Sequence, residues 1–236
     1  MTAPPAATTM TNMDTAPIAR HESTASRSWP LQRWLLVFAL VFAAGHHVGE
    51  AFKLLGEVGD SGTRWADWID LAVPYLVISA AAAVLIRAGV DRVGWVLFGI
   101  GAIVYTQGHG IHLAGNSVDN AVGGHVAHLW DEDVGHWIWY LGLTLLITVL
   151  VRALPSLALS VWAVVGAALA GFTWFDNTVE GGVPYLGIAA AILVGGYAWR
   201  RGAAPIAAAY GFALLLLITW GIWQRGFPQF SQLGWI

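Results

Sequence analysis

The hydrophobic positions of this chain fall into long runs that are separated by short polar breaks. An α-helix crosses the roughly 30 Å core of a bilayer with about 20 apolar residues. Seven runs approach that length, and they cover 31–52, 70–87, 93–115, 134–152, 157–175, 183–199 and 204–223. The breaks carry turn residues, as in Gly59, Asp60, Ser61 and Gly62. The pattern predicts an all-α polytopic membrane protein with seven transmembrane helices.

The first 30 residues have a different character. Residues 1–30 are rich in Ala, Thr, Pro and Ser and show no apolar periodicity. They also lack the apolar core of a signal peptide. The sequence therefore predicts a disordered cytoplasmic tail over 1–30 and a single seven-helix membrane domain over 31–236.

Composition supports a membrane protein and excludes several other classes. Hydrophobic residues make up 57% of the chain and charged residues 11%, against about 25% charged in an ordinary soluble domain. A net charge of -3 offers no basic surface, so we expect no nucleic-acid partner. The chain has no Cys, which excludes disulfides and thiolate metal sites.

The distribution of Lys and Arg predicts the orientation. Lys and Arg are enriched in cytoplasmic loops, and placing the N-terminus inside puts eight of them inside and three outside. Seven helices then leave the C-terminus extracytoplasmic. We expect an integral protein of a bacterial plasma membrane. Several Trp, including Trp137 and Trp139, lie near predicted span ends, where an amphipathic ring suits the membrane interface.

Two of the predicted spans end in pairs of histidines. His46 and His47 are followed by Glu50, at helical spacings of four and three residues, so either pair shares a helix face. His109 and His112 repeat the three-residue spacing near the end of the third span. Ionisable side chains at membrane depth are costly, and they normally pair or face a cavity.

The connection to the fourth span is the densest in potential metal ligands. His125, His128 and Asp131 follow one another at intervals of three residues, and Asp133 and His136 repeat that interval. Neutral imidazole and carboxylate are the usual protein ligands of zinc and iron, and imidazole also binds copper. A helical conformation would place these groups in stripes along one face.

The predicted topology brings all of these groups to the extracytoplasmic face. We expect a metal site there that holds one or two ions, since the ligands outnumber the three or four that one ion needs. The candidate ligands are His46, His47, His109, His112, His125, His128, Asp131 and His136. Glu50 and Asp133 are the candidate catalytic acids or bases, and Asp176 and Glu180 are further carboxylates at that face.

This pattern favours an integral-membrane metalloenzyme that uses iron, copper or zinc and acts on a membrane lipid or another lipophilic molecule. Oxidation of the hydroxylation or desaturation type is slightly preferred, because the many histidines suit two metal ions. A zinc-dependent lipid hydrolase is the alternative, since zinc activates water and a nearby acid can serve as base. A haem electron carrier and a metal-ion transporter or sensor also stay open. The chain contains neither HExxH nor GxSxG nor a P-loop motif.

Overall fold

The structure is a computed structural model that describes residues 24–52, 55–60 and 62–235. Most of the described residues are helical and the only extended pairing among them is one isolated β-bridge between Glu57 and Arg64, so the all-α prediction is confirmed. The helices are α1 Thr24–Phe52, α2 Trp65–Asp70, α3 Val73–Ala88, α4 Arg92–Val122, α5 His125–His128, a π-helix Leu129–Gly135, α6 His136–Ala153, α7 Val161–Glu180, α8 Pro184–Arg201 and α9 Ala204–Trp223. Most of the predicted tail, residues 1–23 with His21, lies outside the described part.

Among the described residues, three helical stretches are long and apolar enough to cross a membrane. They are Trp65–Ala88, which joins α2 and α3, His125–Ala153, which joins α5, the π-helix and α6, and α9. This supports membrane association. The seven-span arrangement, its orientation and the bacterial location stay predictions.

Local sequence signals explain where several helices begin and end. Asp91 caps α4 by accepting a hydrogen bond from the backbone N–H of Gly94 at 2.8 Å. Ser160 caps α7 in the same way, through the N–H of Ala163 at 3.2 Å. Gly89 ends α3 in the left-handed region, with φ of 68°, which a residue without a Cβ adopts at little cost.

A proline divides the second predicted span into two helices. The sequence predicted one span over 70–87, whereas the structure has α2 ending at Asp70 and α3 beginning at Val73. Pro74 has no N–H, so it cannot donate to the carbonyl of Asp70 one turn earlier. That carbonyl is therefore free for a partner outside its own helix.

The helices form one bundle with a continuous apolar core. α1 packs against α3 and α7, α9 packs against α7 and α8, and α4 packs along α6. Fully buried side chains such as Leu85, Leu146 and Leu217 fill the interior. In water, such packing is driven by the removal of apolar surface from the solvent. Within a bilayer, it is driven by close van der Waals contact between the helices.

A ladder of glycines lets α4 approach the π-helix and α6 closely. On α4 the glycines are seven residues apart, at Gly101, Gly108 and Gly115, and on the facing segment Gly135 and Gly142 repeat that interval. A Cβ on Gly108 would collide with the backbone of Trp139, and a Cβ on Gly115 would lie 2.6 Å from the nitrogen of Asp131. The two segments therefore meet backbone to backbone, as small residues permit in membrane helices.

Candidate metal site

Three side chains converge where α4 meets the π-helix and α6. His112 comes from α4, Asp131 from the π-helix and His136 from the start of α6. One ligand atom from each lies within 4.8 Å of the other two, and Nδ1 of His112 is 2.6 Å from Oδ1 of Asp131. Asp131 and His136 are each only 4% exposed. This group can hold a metal ion.

The hydrogen bonding of these atoms fits a metal site. Nδ1 of His112 and Oδ1 of Asp131 are buried and close together, yet neither has a hydrogen-bond partner of acceptable geometry. Oδ1 of Asp131 thus has an imidazole nitrogen beside it but no well-aligned hydrogen bond, and burial of a carboxylate in that state is costly. Two ligands at about 2.1 Å from a common ion lie roughly 3 Å apart, so a shared cation satisfies both atoms at once.

A backbone hydrogen bond fixes the ring of His136. Its Nδ1–H donates to the carbonyl oxygen of Glu132 at 3.0 Å, which leaves Nε2 with the lone pair. Metal-binding histidines usually donate their other ring N–H to such a partner, because this sets the tautomer and the ring orientation. Gly181 lies against Nε2, and a Cβ at that position would be 2.9 Å away.

The π-helix places Asp131 and His136 on the same side. In an α-helix, residues five apart point about 140° away from each other. In a π-helix the backbone hydrogen bonds join residues five apart, so such residues lie one turn above each other. The segment Leu129–Gly135 therefore turns Asp131 toward His136 and His112, whereas it leaves Asp133 exposed.

A polar cavity of about 220 Å³ borders the metal group, and two of the three ligands are among its lining residues, whereas the buried Asp131 is not. His112 and His136 line it directly, together with residues from α1, α2, α4 and α7. Its other lining residues are His46, Arg64, Ala66, Asp67, Asp70, His109, Asn116, Glu132, Trp139, Asn177, Glu180 and Gly181. Four of these lining residues are carboxylates, so the cavity beside the metal group is rich in acids.

Trp139 lies at the centre of the histidines rather than at a membrane interface. Its ring centroid is 5.3 Å from that of His46, 5.1 Å from His109, 5.7 Å from His112 and 5.3 Å from His136. It is only 5% exposed, whereas the nearby Trp137 is 50% exposed. The prediction that Trp139 lies at the membrane interface therefore does not fit, because its ring packs against all four imidazole rings.

His109 and His46 line the cavity and form hydrogen bonds outside the metal group, and Nδ1 of His109 is buried without a hydrogen-bond partner. Nε2–H of His109 donates to the Asp70 carbonyl at 3.1 Å, which is the carbonyl that Pro74 leaves free. Nδ1–H of His46 donates to the carbonyl oxygen of Phe42 at 2.8 Å, and Nε2 of His46 lies 3.3 Å from the hydroxyl of Tyr105. Within the described part of the chain, His112, Asp131 and His136 form the one group whose ligand atoms converge.

The remaining sequence candidates lie outside the cavity. His47 contacts Thr173 at 3.2 Å and Asp176 at 3.5 Å, and His128 is 63% exposed with Asp119 at 3.6 Å. His125 and Asp133 are exposed. The side chain of Glu50 lies outside the described residues.

Asp67, Asp70 and Glu132 line the cavity but are not among the candidates from the sequence, whereas Glu180, a further carboxylate predicted at that face, does line it. Glu132 precedes His136 by four residues, a helical spacing that is visible in the sequence. Oε2 of Glu132 accepts a hydrogen bond from Gln229 at 3.0 Å. Gln229 also donates to the Glu180 carbonyl at 2.6 Å, so the C-terminal segment holds Glu132 at the end of α7.

No family model matches this chain, and neither the curated proteins nor the solved structures contain a match. Functional inference therefore depends on the geometry of the site.

Proposed function

We propose that this protein is a metal-dependent membrane hydrolase that cleaves an ester or amide bond of a lipophilic substrate. The observation that supports this proposal is the convergence of His112, Asp131 and His136, two of which line a cavity that Glu132 also lines. Three protein ligands with one open position are typical of catalytic zinc sites, including those with two His and one carboxylate. Zinc is accordingly the metal that we propose.

The residues around the ligands supply the other parts of a hydrolytic site. A divalent ion bound there would act as a Lewis acid on the substrate oxygen and would acidify water. Glu132 takes a proton from the water whose oxygen attacks the carbonyl carbon. The bond to the leaving oxygen or nitrogen then breaks, and Glu132 returns the proton to that leaving atom. One water is consumed, and an acid and an alcohol or amine are released.

The proposal can be tested by substituting two carboxylates that are adjacent in the sequence, Glu132 and Asp133. Glu132 faces the cavity, whereas its neighbour Asp133 is exposed. We expect detergent-purified protein to contain about one zinc and to hydrolyse members of a panel of ester- and amide-linked lipids. Glu132→Gln is expected to keep the metal and lose activity about 100-fold or more, because general-base catalysis is typically worth that much. Asp133→Asn is the matched control and is expected to retain activity. Full activity in Glu132→Gln, or purified protein that binds no metal after reconstitution, would contradict the proposal.

The same three ligands are also compatible with one alternative function, the oxidation of a lipid. Two His and one carboxylate also form the facial triad of non-haem iron oxygenases. Hydrolysis is preferred because Glu132 provides a base beside the ligands. Iron in place of zinc, with oxygen consumption that depends on the lipid, would support oxidation instead.

A further inference from the structure

An open groove lies between α2 and α4, next to the cavity. Its volume is about 240 Å³. Trp68 and Leu71 form one wall, and Gly110, Leu113 and Ala114 form the other. Trp68 and Leu71 are 56% and 50% exposed, so two large apolar side chains border the groove without being covered.

The groove and the cavity are neighbours that share Asp67. This residue lines both spaces. Its carboxylate is fixed by Arg64, whose Nη2 donates to Oδ1 at 2.7 Å and whose Nε donates to Oδ2 at 3.2 Å. A molecule that lies across Asp67 can therefore place an apolar part in the groove and a polar part near the candidate metal ligands.

We propose that this groove holds the acyl chain of a bilayer lipid whose polar end lies in the cavity. The proposal rests on the proposed function, because it makes that lipid the class of substrate. The wall formed by Trp68 and Leu71 belongs to the stretch Trp65–Ala88, which is apolar enough to cross a membrane. If this stretch crosses the bilayer, the wall borders hydrocarbon, and an acyl chain in the groove would cover its apolar surface.

Small residues on α4 create the space for the chain. Gly110 has no atom of another residue within 4 Å of the position that a Cβ would take, and Ala114 lies one turn further on the same wall. Both residues are exposed and line the groove, so a larger side chain at either position is expected to occupy part of it. Gly99, on the same helix, is equally open but lies outside the groove, so it offers a matched control.

The test uses phosphatidylcholine with a photoreactive diazirine in its acyl chain, in vesicles that contain the full chain. We expect cross-links at Trp68, Leu71 or Leu113. Gly110→Leu and, independently, Ala114→Leu are expected to reduce these cross-links about tenfold, because each replaces the volume of several methylene groups. Gly99→Leu is expected to leave them unchanged. Metal content, measured for every variant, shows that the site itself is intact.

Each outcome decides between the two proposals. Cross-links spread evenly over all apolar helices, or groove cross-links that neither Leu variant reduces while metal content stays normal, would overturn the groove assignment. If the wild-type protein binds no metal but the Leu variants abolish the cross-links, the groove binds lipid and the hydrolase proposal fails instead. Binding of the free fatty acid, with no cross-linking by the phospholipid, also overturns the assignment to a bilayer lipid.

Discussion

Gly135 lies against the backbone of His112, and a Cβ on Gly135 would come within 2.7 Å of the His112 nitrogen. Gly135 ends the π-helix that carries Asp131, and His136 follows it directly. The contact therefore sets the separation between the ligand on α4 and the two ligands on the facing segment.

The first prediction concerns this contact. Gly135→Ala removes no ligand, yet it forces α4 and the π-helix apart, and overpacking of this kind costs about 1–3 kcal/mol. We expect the variant to lose most of its bound metal and to unfold at a lower temperature. Metal analysis and thermal unfolding test this. Gly99→Ala, where the added Cβ meets open space, is the control. Normal metal content in Gly135→Ala would show that the close approach does not set the site.

The second prediction separates the histidines by their position. His112→Ala, Asp131→Asn and His136→Ala are each expected to reduce bound metal to less than about a tenth, because each removes one of three ligands. His125→Ala and His128→Ala are expected to keep the wild-type amount, since both side chains are exposed. Elemental analysis of the five purified variants checks this. Metal loss in the two exposed variants would place the site elsewhere.

The third prediction concerns metal removal. Asp131 is 4% exposed, so chelation leaves a buried carboxylate without a cation. We expect a chelator to lower the unfolding temperature of the wild type by about 5 °C or more, since a ligand that binds only the folded state stabilises it by mass action. Asp131→Asn has no such charge, so its unfolding temperature should not change with the chelator. An equal shift in both proteins would exclude Asp131 as a ligand.

The fourth prediction tests Gln229 as a positioning residue for Glu132. Gln229→Ala removes the donor that fixes Oε2 of Glu132 and the end of α7. We expect hydrolytic kcat to fall about tenfold, with bound metal unchanged, because loss of one orienting hydrogen bond costs about 1.4 kcal/mol or less. Gln224→Ala, earlier in the same segment, is the control. A rise in KM alone would point to substrate binding instead of to the orientation of Glu132.

The sequence predicted the helices better than it predicted which faces of them meet. Apolar runs and caps such as Asp91 locate helix bodies, because these signals act within one or two turns. Asp131 and Asp133 show the limit of this reasoning. Their spacing to His128 and His136 is equivalent in an α-helix, and the π-helix alone separates a buried ligand from an exposed acid. Glycines at seven-residue intervals were a readable signal of close approach between α4 and α6.

Residue pattern and composition are enough to predict that the chain is helical, that it is too apolar for an ordinary soluble domain, and that its histidines and acids cluster in a few segments. Hydropathy and residue spacing are local properties, so they are visible without a structure. The packing of the helices is needed to see that His112, Asp131 and His136 converge, and that His125, His128 and Asp133 do not line the cavity. Which residues reach the site depends on the glycine contacts and on the π-helix. A shift of one residue along a helix turns a side chain by about 100°, so small changes in helix geometry decide which side chains converge.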